Sequence, residues 1–301
     1  MHSRVILAGI AFAIAASACF AVLDTTVQYL SAFVPLLMAL WIRYAFQAAA
    51  TALWLAPTRG MGMLRTVQPG FQMARGLLLL VSTAFAFSSL KVMSVGEFTA
   101  IVMITPLVVT LVSATVFKQT VSPLRWLLVI GGFVGTLIII RPNQHGFQAA
   151  MLLPLGCVAS NTGFQLLSSK MAKAEDPLTT NLYTGLVGTV VMSVTLPFVF
   201  SPLGSWHLWA LLFVMGAAAT TGHCLLLMAY QKTSTSVLMP YLYTQIVFAL
   251  LGSWLVFGYV PDGWSLMGMA LIGASGAASA WLTVREQRQT IAMDAQVQSA
   301  T

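Results

Sequence analysis

Long apolar stretches alternate with short polar ones from the start of the chain to about residue 284. A helix that crosses a bilayer needs about 20 mainly apolar residues. Ten such segments lie near residues 5–28, 35–56, 73–90, 95–117, 124–140, 149–169, 178–200, 206–230, 236–258 and 264–284. The loops between them are short, so the pattern predicts an all-α membrane protein with ten transmembrane helices and a polar tail from 285 to 301.

The composition supports this interpretation. Hydrophobic residues make up 58% of the chain and charged residues 7%, with a mean hydropathy of +0.88, whereas soluble domains carry about 25% charged residues. The net charge of +7 comes from basic residues at the ends of apolar segments. They form no basic stripe of the kind that binds nucleic acid. Cys19, Cys157 and Cys224 lie far apart in apolar segments and predict neither disulfides nor a zinc site. No cofactor or metal is expected.

Basic residues predict the orientation, because lysine and arginine favour the cytoplasmic side of a membrane. With the N-terminus inside, eleven of the fourteen basic residues fall on that side. They are Arg4, Arg59, Arg65, Arg75, Lys118, Arg125, Lys170, Lys173, Lys232, Arg285 and Arg288. Both termini are therefore predicted to be cytoplasmic.

Two parts of the chain echo each other. SSLKVMSVGEFTAIVMITPLVVTLVSATVFKQ begins at Ser88, and LMAYQKTSTSVLMPYLYTQIVFALLGSWLVFG begins at Leu227. A tryptophan-led, glycine-spaced segment follows each copy, starting at Trp126 and Trp264. Two copies of a five-helix unit must have opposite orientations, because five is odd. Inverted repeats with a substrate site between the halves are typical of secondary transporters.

The order of these features resembles the drug/metabolite transporter superfamily, in particular its ten-helix EamA-type members. The resemblance rests on the repeat, on Pro35 followed by Arg43-Tyr44, on Thr105-Pro106, and on a glycine-spaced fifth helix ending in Arg141-Pro142. It implies repeats at 1–142 and 143–284. It further implies a multi-pass carrier of the bacterial inner membrane that exports amino acids and related small metabolites, aromatic ones included. We expect a monomer, although the small residues from 268 to 280 could also form a dimer surface.

Polar and aromatic side chains within the predicted spans are the candidates for substrate contact, since such groups usually face the bundle interior or a watery cavity. Pro106 should kink the fourth helix, and Gln245 occupies the corresponding place in the ninth. Each candidate also has a plain structural interpretation as packing or, for His223, as a hydrogen-bonded core histidine. The predicted substrate-binding set is Phe85, Thr99, Met103, Pro106, Asn161, Gln165, His223, Tyr241 and Gln245.

Arg43 places a charge deep in the second predicted span, which costs at least about 2.5 kcal/mol unless the charge is paired or reaches water. Asp24, near the outer end of the first span, is its predicted partner in a structural ion pair, and Glu97 is the second candidate. The alternative is an arginine that meets a substrate carboxylate. The repeat has Gly185 at the position of Arg43, so this charge belongs to one half of the chain.

Other function classes fit less well. HExxH and GxSxG motifs are absent from the sequence, so an enzyme of either type is not predicted. A channel stays open as an alternative, as does export of other small organic compounds. The main hypothesis is a secondary transporter with a small-molecule substrate and the lipid bilayer as partners.

Overall fold

The computed structural model describes residues 2–93, 95–116, 118, 121–140, 152–258, 262–264, 266–278, 281–282 and 285. This part of the chain is helical and contains no strand. Its helices are α1 (His2–Leu30), α2 (Leu36–Arg59), α3 (Pro69–Val92), α4 (Val95–Val102), α5 (Thr105–Thr115), α6 (Pro123–Ile140), α7 (Leu152–Met171), α8 (Pro177–Ser193), α9 (Leu196–Val199), α10 (Trp206–Lys232), α11 (Thr235–Leu242), α12 (Thr244–Phe257) and α13 (Leu266–Ala278), with a 3₁₀ turn at Gly60–Leu64.

Five helical segments of the described chain are long and apolar enough to cross a membrane: Arg4–Leu30, Leu36–Leu64, Pro69–Val92, Trp206–Lys232 and Val237–Phe257. Shorter apolar helices cover Pro123–Gly135 and Leu266–Ala278. The chain is thus an all-helical membrane protein. The count of ten spans and the cytoplasmic termini stay predictions, and the tail beyond Arg285 lies outside the described residues.

Two predicted spans are each broken near their centres. Pro106 lies in the first turn of α5 and has no N–H to donate to the Val102 carbonyl, and the regular hydrogen bonding of α4 ends at Val102. The equivalent span breaks at Tyr243, between α11 and α12. The first turn of α12 contains no proline, but Pro240 lies within α11. The backbone keeps right-handed helical φ and ψ angles at Ile104 and Tyr243, so each span is locally disturbed, and the first disturbance lies where a proline kink was predicted.

Helices of the first half pack on helices of the second. α1 lies against α10 and α3 against α7, while α2 faces α8 and the pair α4–α5 faces the pair α12–α11. Each helix of the first half has a counterpart in the second: α1 and α7, α2 and α8, α3 and α10, α4–α5 and α11–α12. Exchanging every helix with its counterpart gives the same set of contacts, as expected for two related halves. Two apolar clusters form the core, one around Met38 and Leu212 and the other around Val109 and Ile246.

Small residues let neighbouring helices approach closely. A Cβ atom placed on Gly135 of α6 would lie 2.9 Å from the Gly268 carbonyl oxygen of α13, and one on Gly131 would lie 2.8 Å from Ser275 Oγ. Part of the glycine-rich surface assigned to close packing is thus used between helices of the same chain.

Gly185→Ala should destabilise the protein. The new Cβ would lie 2.5 Å from the backbone nitrogen of Ala48 in α2, so a helix backbone has to shift, and overpacking of this kind costs about 1–3 kcal/mol. Thermal unfolding in detergent measures the loss. Gly204→Ala is the control, because nothing lies within 4 Å of its Cβ position. Equal unfolding temperatures for the two variants would contradict the close α2–α8 contact.

Candidate functional site

A cavity of about 110 Å³ lies between the two halves. Helices α1, α2, α3, α7 and α10 form its walls, and both broken helix pairs reach it near their interruptions. Its lining is Phe20, Leu23, Asp24, Arg43, Leu79, Ser82, Thr83, Ala86, Phe87, Phe98, Val102, Met103, Thr105, Pro106, Cys157, Asn161, Phe164, Gln165, His223, Leu226, Leu242 and Gln245. The cavity is apolar and aromatic on most sides, with a few converging polar groups, as small-molecule sites usually are.

Arg43 contacts His223 rather than Asp24. The Arg43 side chain is 1% exposed, and its Nη2 lies 2.9 Å from His223 Nε2 of α10. Its guanidinium also lies 4.3 Å from the centre of the Tyr44 ring. The Arg43 Nε and Nη1 atoms are buried without a hydrogen-bond partner in this structure. The wall of the cavity therefore holds a buried guanidinium group with two nitrogen atoms whose N–H groups have no partner.

Asp24 is directed towards α12 on another wall of the same cavity. Its Oδ2 accepts a hydrogen bond of 3.0 Å from Gln245 Nε2, because α1 packs tightly on α12: a Cβ on Gly252 would lie 2.5 Å from Thr25 Oγ1. The predicted Asp24–Arg43 ion pair is therefore not present in this structure. Asp24 contacts Gln245, and Arg43 contacts His223. The side chain of Glu97, the second candidate, lies outside the described residues.

His223 accepts a hydrogen bond from Arg43, because arginine has donors and no acceptor. A ring whose Nε2 accepts is neutral and carries its proton on Nδ1, and that atom is buried without a partner. The rings of Phe20 and Phe164 lie 4.9 and 5.5 Å from the His223 ring. The histidine therefore positions Arg43 while presenting one unused donor.

Six of the nine predicted substrate-binding residues line the cavity: Met103, Pro106, Asn161, Gln165, His223 and Gln245. The other three do not. Phe85 packs on α7, where a Cβ on Gly156 would lie 2.8 Å from its ring. Thr99 and Tyr241 are buried, precede the two breaks and do not line the cavity.

Sequence reasoning missed several lining residues. Ser82 and Thr83 gave a usable signal, because they are adjacent polar residues in an otherwise apolar segment. Phe20, Phe98 and Phe164 gave none, because an aromatic ring in a membrane helix looks the same whether it packs or binds. Phe164 also contacts Arg75, whose Cζ lies 4.5 Å from the centre of its ring.

At the end of the molecule where α1 begins, Glu175, which precedes α8, holds the loop before α3. Its Oε1 accepts hydrogen bonds from Thr66 Oγ1 at 2.7 Å and from the backbone N–H groups of Val67 and Gln68 at 2.9 and 3.0 Å. Gln231 Nε2, near the end of α10, lies 3.4 Å from the Glu175 carbonyl oxygen. One carboxylate thus ties the loop before α3 to the second half.

Glu175→Gln should loosen this loop. Replacing a charged acceptor by a neutral one removes about 1.4 kcal/mol from local closure, which corresponds to about tenfold faster tryptic cleavage after Arg65. Limited proteolysis followed by mass spectrometry measures the rate at that bond. An unchanged rate would mean that Glu175 does not hold the loop.

Asp176→Asn is the matched control for this experiment. Burial raises the pKa of Asp176, but hydrogen bonds from Arg59 and Thr179 and the Arg59 charge outweigh it and leave the pKa below its usual range. The group is therefore ionised at neutral pH, and it bonds Arg59 Nη1 at 2.9 Å. The control removes an adjacent charge, whose partner Arg59 ends α2, and leaves the contacts of Glu175 with residues 66–68 in place.

Comparisons with known proteins agree with this architecture. The model of the EamA-like transporter family matches residues 7–141 and 148–279. A riboflavin transporter of Vibrio cholerae is 27% identical over 94% of this chain and 96% of its own length. An S-adenosylmethionine uptake transporter of Rickettsia bellii is 25% identical over 71% of this chain and 73% of its own. A pseudopaline exporter of Pseudomonas aeruginosa is 22% identical over 88% and 93%.

A solved crystal structure shares the fold, with a TM-score of 0.76 at 19% identity over 94% of this chain and 98% of the other. The relatives are membrane transporters rather than enzymes. Two copies of the family domain cover most of the sequence. The chain therefore belongs to the EamA-like transporter family, within the drug/metabolite transporter superfamily.

Proposed function

We propose that this protein carries a small zwitterionic metabolite, with aromatic amino acids favoured, through the central cavity by alternating access. One observation carries the proposal: Arg43 and Asp24 line the same cavity and have different partners, so a guanidinium and a carboxyl group face one space. A substrate carboxylate would meet the free donors of Arg43, and a substrate ammonium would meet Asp24 beside Gln245. Phe20, Phe98 and Phe164 would enclose an apolar or aromatic side chain.

The size of the cavity favours a small substrate. A volume of 110 Å³ gives room for on the order of ten water-sized groups, which suits an amino acid better than a three-ring flavin in this conformation. S-adenosylmethionine has an amino-acid end that fits the same charge arrangement. Transport of that class of compound is the second candidate, favoured by the relatives named for it.

We place the protein in the bacterial inner membrane, with export as the direction of net flow. The resemblance to exporters of small metabolites supports this direction, and relatives named for uptake show that the fold serves both. In a carrier without energy coupling the substrate gradient sets the direction. Flux should therefore be measured both ways.

Purified protein in liposomes tests the proposal. Labelled L-phenylalanine, L-alanine, riboflavin and S-adenosylmethionine should be compared, with and without a pH gradient. We expect saturable flux of L-phenylalanine that is accelerated by unlabelled L-phenylalanine on the opposite side. Unsaturable flux without such counterflow would favour a channel, and no substrate-specific flux under any condition would refute transport of these compounds.

A further inference from the structure

Arg75 is a second buried arginine, and the sequence placed it at the cytoplasmic end of the third predicted span. It lies in the second turn of α3 and is 0% exposed, rather than reaching water. We propose that Arg75 binds the anionic group of the substrate at a second position, between the central cavity and the end of the molecule where α1 begins. This inference rests on the proposed function, because it concerns the route of the same substrate.

The guanidinium of Arg75 has only uncharged partners. Its Nε donates to Ser168 Oγ at 2.6 Å, and its Nη1 donates to the Thr180 carbonyl oxygen at 3.2 Å and to the Thr184 hydroxyl. Its Nη2 is buried without a partner. A buried charge without a counter-ion is costly, so an anion that reaches Arg75 would relieve a cost already present in the fold.

Phe164 stands between Arg75 and the cavity. Arg75 Cζ lies 4.5 Å from the centre of the Phe164 ring, a cation–π distance. The same ring lines the cavity and meets the His223 ring edge-on at 5.5 Å. Because His223 contacts Arg43, one phenyl ring and one imidazole connect the two buried arginines. On this proposal the Phe164 ring moves aside when the substrate passes from the cavity to Arg75.

Buried polar side chains near Arg75 continue the route. Gln72, one turn before Arg75 in α3, donates to Thr180 Oγ1 at 3.1 Å, and its Oε1 is buried without a partner. Gln47 of α2 donates to Asn181 Oδ1 at 2.6 Å, and its Oε1 is also without a partner. Buried polar groups within membrane spans often mark substrate pathways. Along α3, Gln72 lies between Arg75 and Gln68, and the backbone N–H of Gln68 donates to Glu175.

Binding of 3-phenylpropanoate, which is phenylalanine without its amino group, tests the inference in the full-length protein. Arg43→Met removes the cation of the central cavity. The unfolding temperature of this variant in detergent should still rise by about 5 °C at a saturating concentration of 3-phenylpropanoate. The neutral 3-phenylpropanamide should give no shift. Adding Arg75→Gln should abolish the carboxylate-dependent shift, whereas adding Arg59→Gln, which removes a half-exposed charge, should not.

The single variant already decides the question if the double variant fails to fold. Complete loss of the carboxylate-dependent shift in Arg43→Met would overturn the second site. So would a shift that survives Arg75→Gln, or equal shifts with the carboxylate and the amide. A merely structural Arg75 would alter the unfolding temperature without altering its response to the carboxylate. Counterflow by the wild-type protein tests transport separately. A failure of the second site can therefore be distinguished from a failure of the proposed function.

Discussion

Arg43→Met is expected to reduce L-phenylalanine counterflow by about 100-fold, because it removes a charged hydrogen-bonding group that meets the substrate in the central cavity. The fold should survive. The substitution removes a buried charge that lacks a carboxylate partner, which favours folding, and it leaves His223 Nε2 without its donor, which costs about 1–3 kcal/mol. These effects oppose each other. Flux in liposomes and thermal unfolding in detergent measure the two consequences separately.

Two controls accompany this variant. Arg43→Lys keeps the charge and should retain part of the flux, whereas Arg59→Met removes an exposed charge and should leave flux unchanged. An unfolded Arg43→Met protein would show that the arginine stabilises the first helical hairpin, as an ion pair with Asp24 would do. A folded variant with normal flux would remove Arg43 from substrate recognition.

Asp24→Asn should weaken L-phenylalanine competition for transport by about 30-fold, the effect of losing one charged contact of about 2 kcal/mol. The asparagine can still accept the hydrogen bond from Gln245, so its geometry is preserved while its charge is lost. Inhibition constants in the counterflow assay measure the effect. Competition by 3-phenylpropanoate, which has no ammonium group, should change little. Equal loss for both compounds would mean that Asp24 acts on the shape of the cavity and does not recognise an amine.

The family and the helical membrane fold could be predicted from the sequence, because apolar segment length and the internal repeat are properties of the chain itself. Pro106 also predicted a disturbance of the fourth helix. The break at Tyr243 was harder to predict, because Pro240 lies within α11 and Gln245 replaces the second proline. Local sequence indicates a weak point in a helix, but it does not show which backbone hydrogen bonds of that helix are lost.

The partners of the buried charges could not be predicted from spacing. Asp24 and Arg43 are close along the first hairpin, yet their rotation about α1 and α2 directs them to Gln245 and His223. Arg75 shows the same limit. Basic residues near a helix end usually reach water, but Ser168 and Thr184 from two other helices enclose this one. Long-range helix packing, which a single sequence does not display, determines both outcomes.

A structure with L-phenylalanine bound is the most direct test of substrate recognition by Arg43. We predict the substrate carboxylate within about 3 Å of an Arg43 guanidinium nitrogen, its ammonium group directed towards Asp24, and its ring among the cavity phenylalanines. A substrate bound elsewhere, with Arg43 and Asp24 joined directly to each other, would contradict the account.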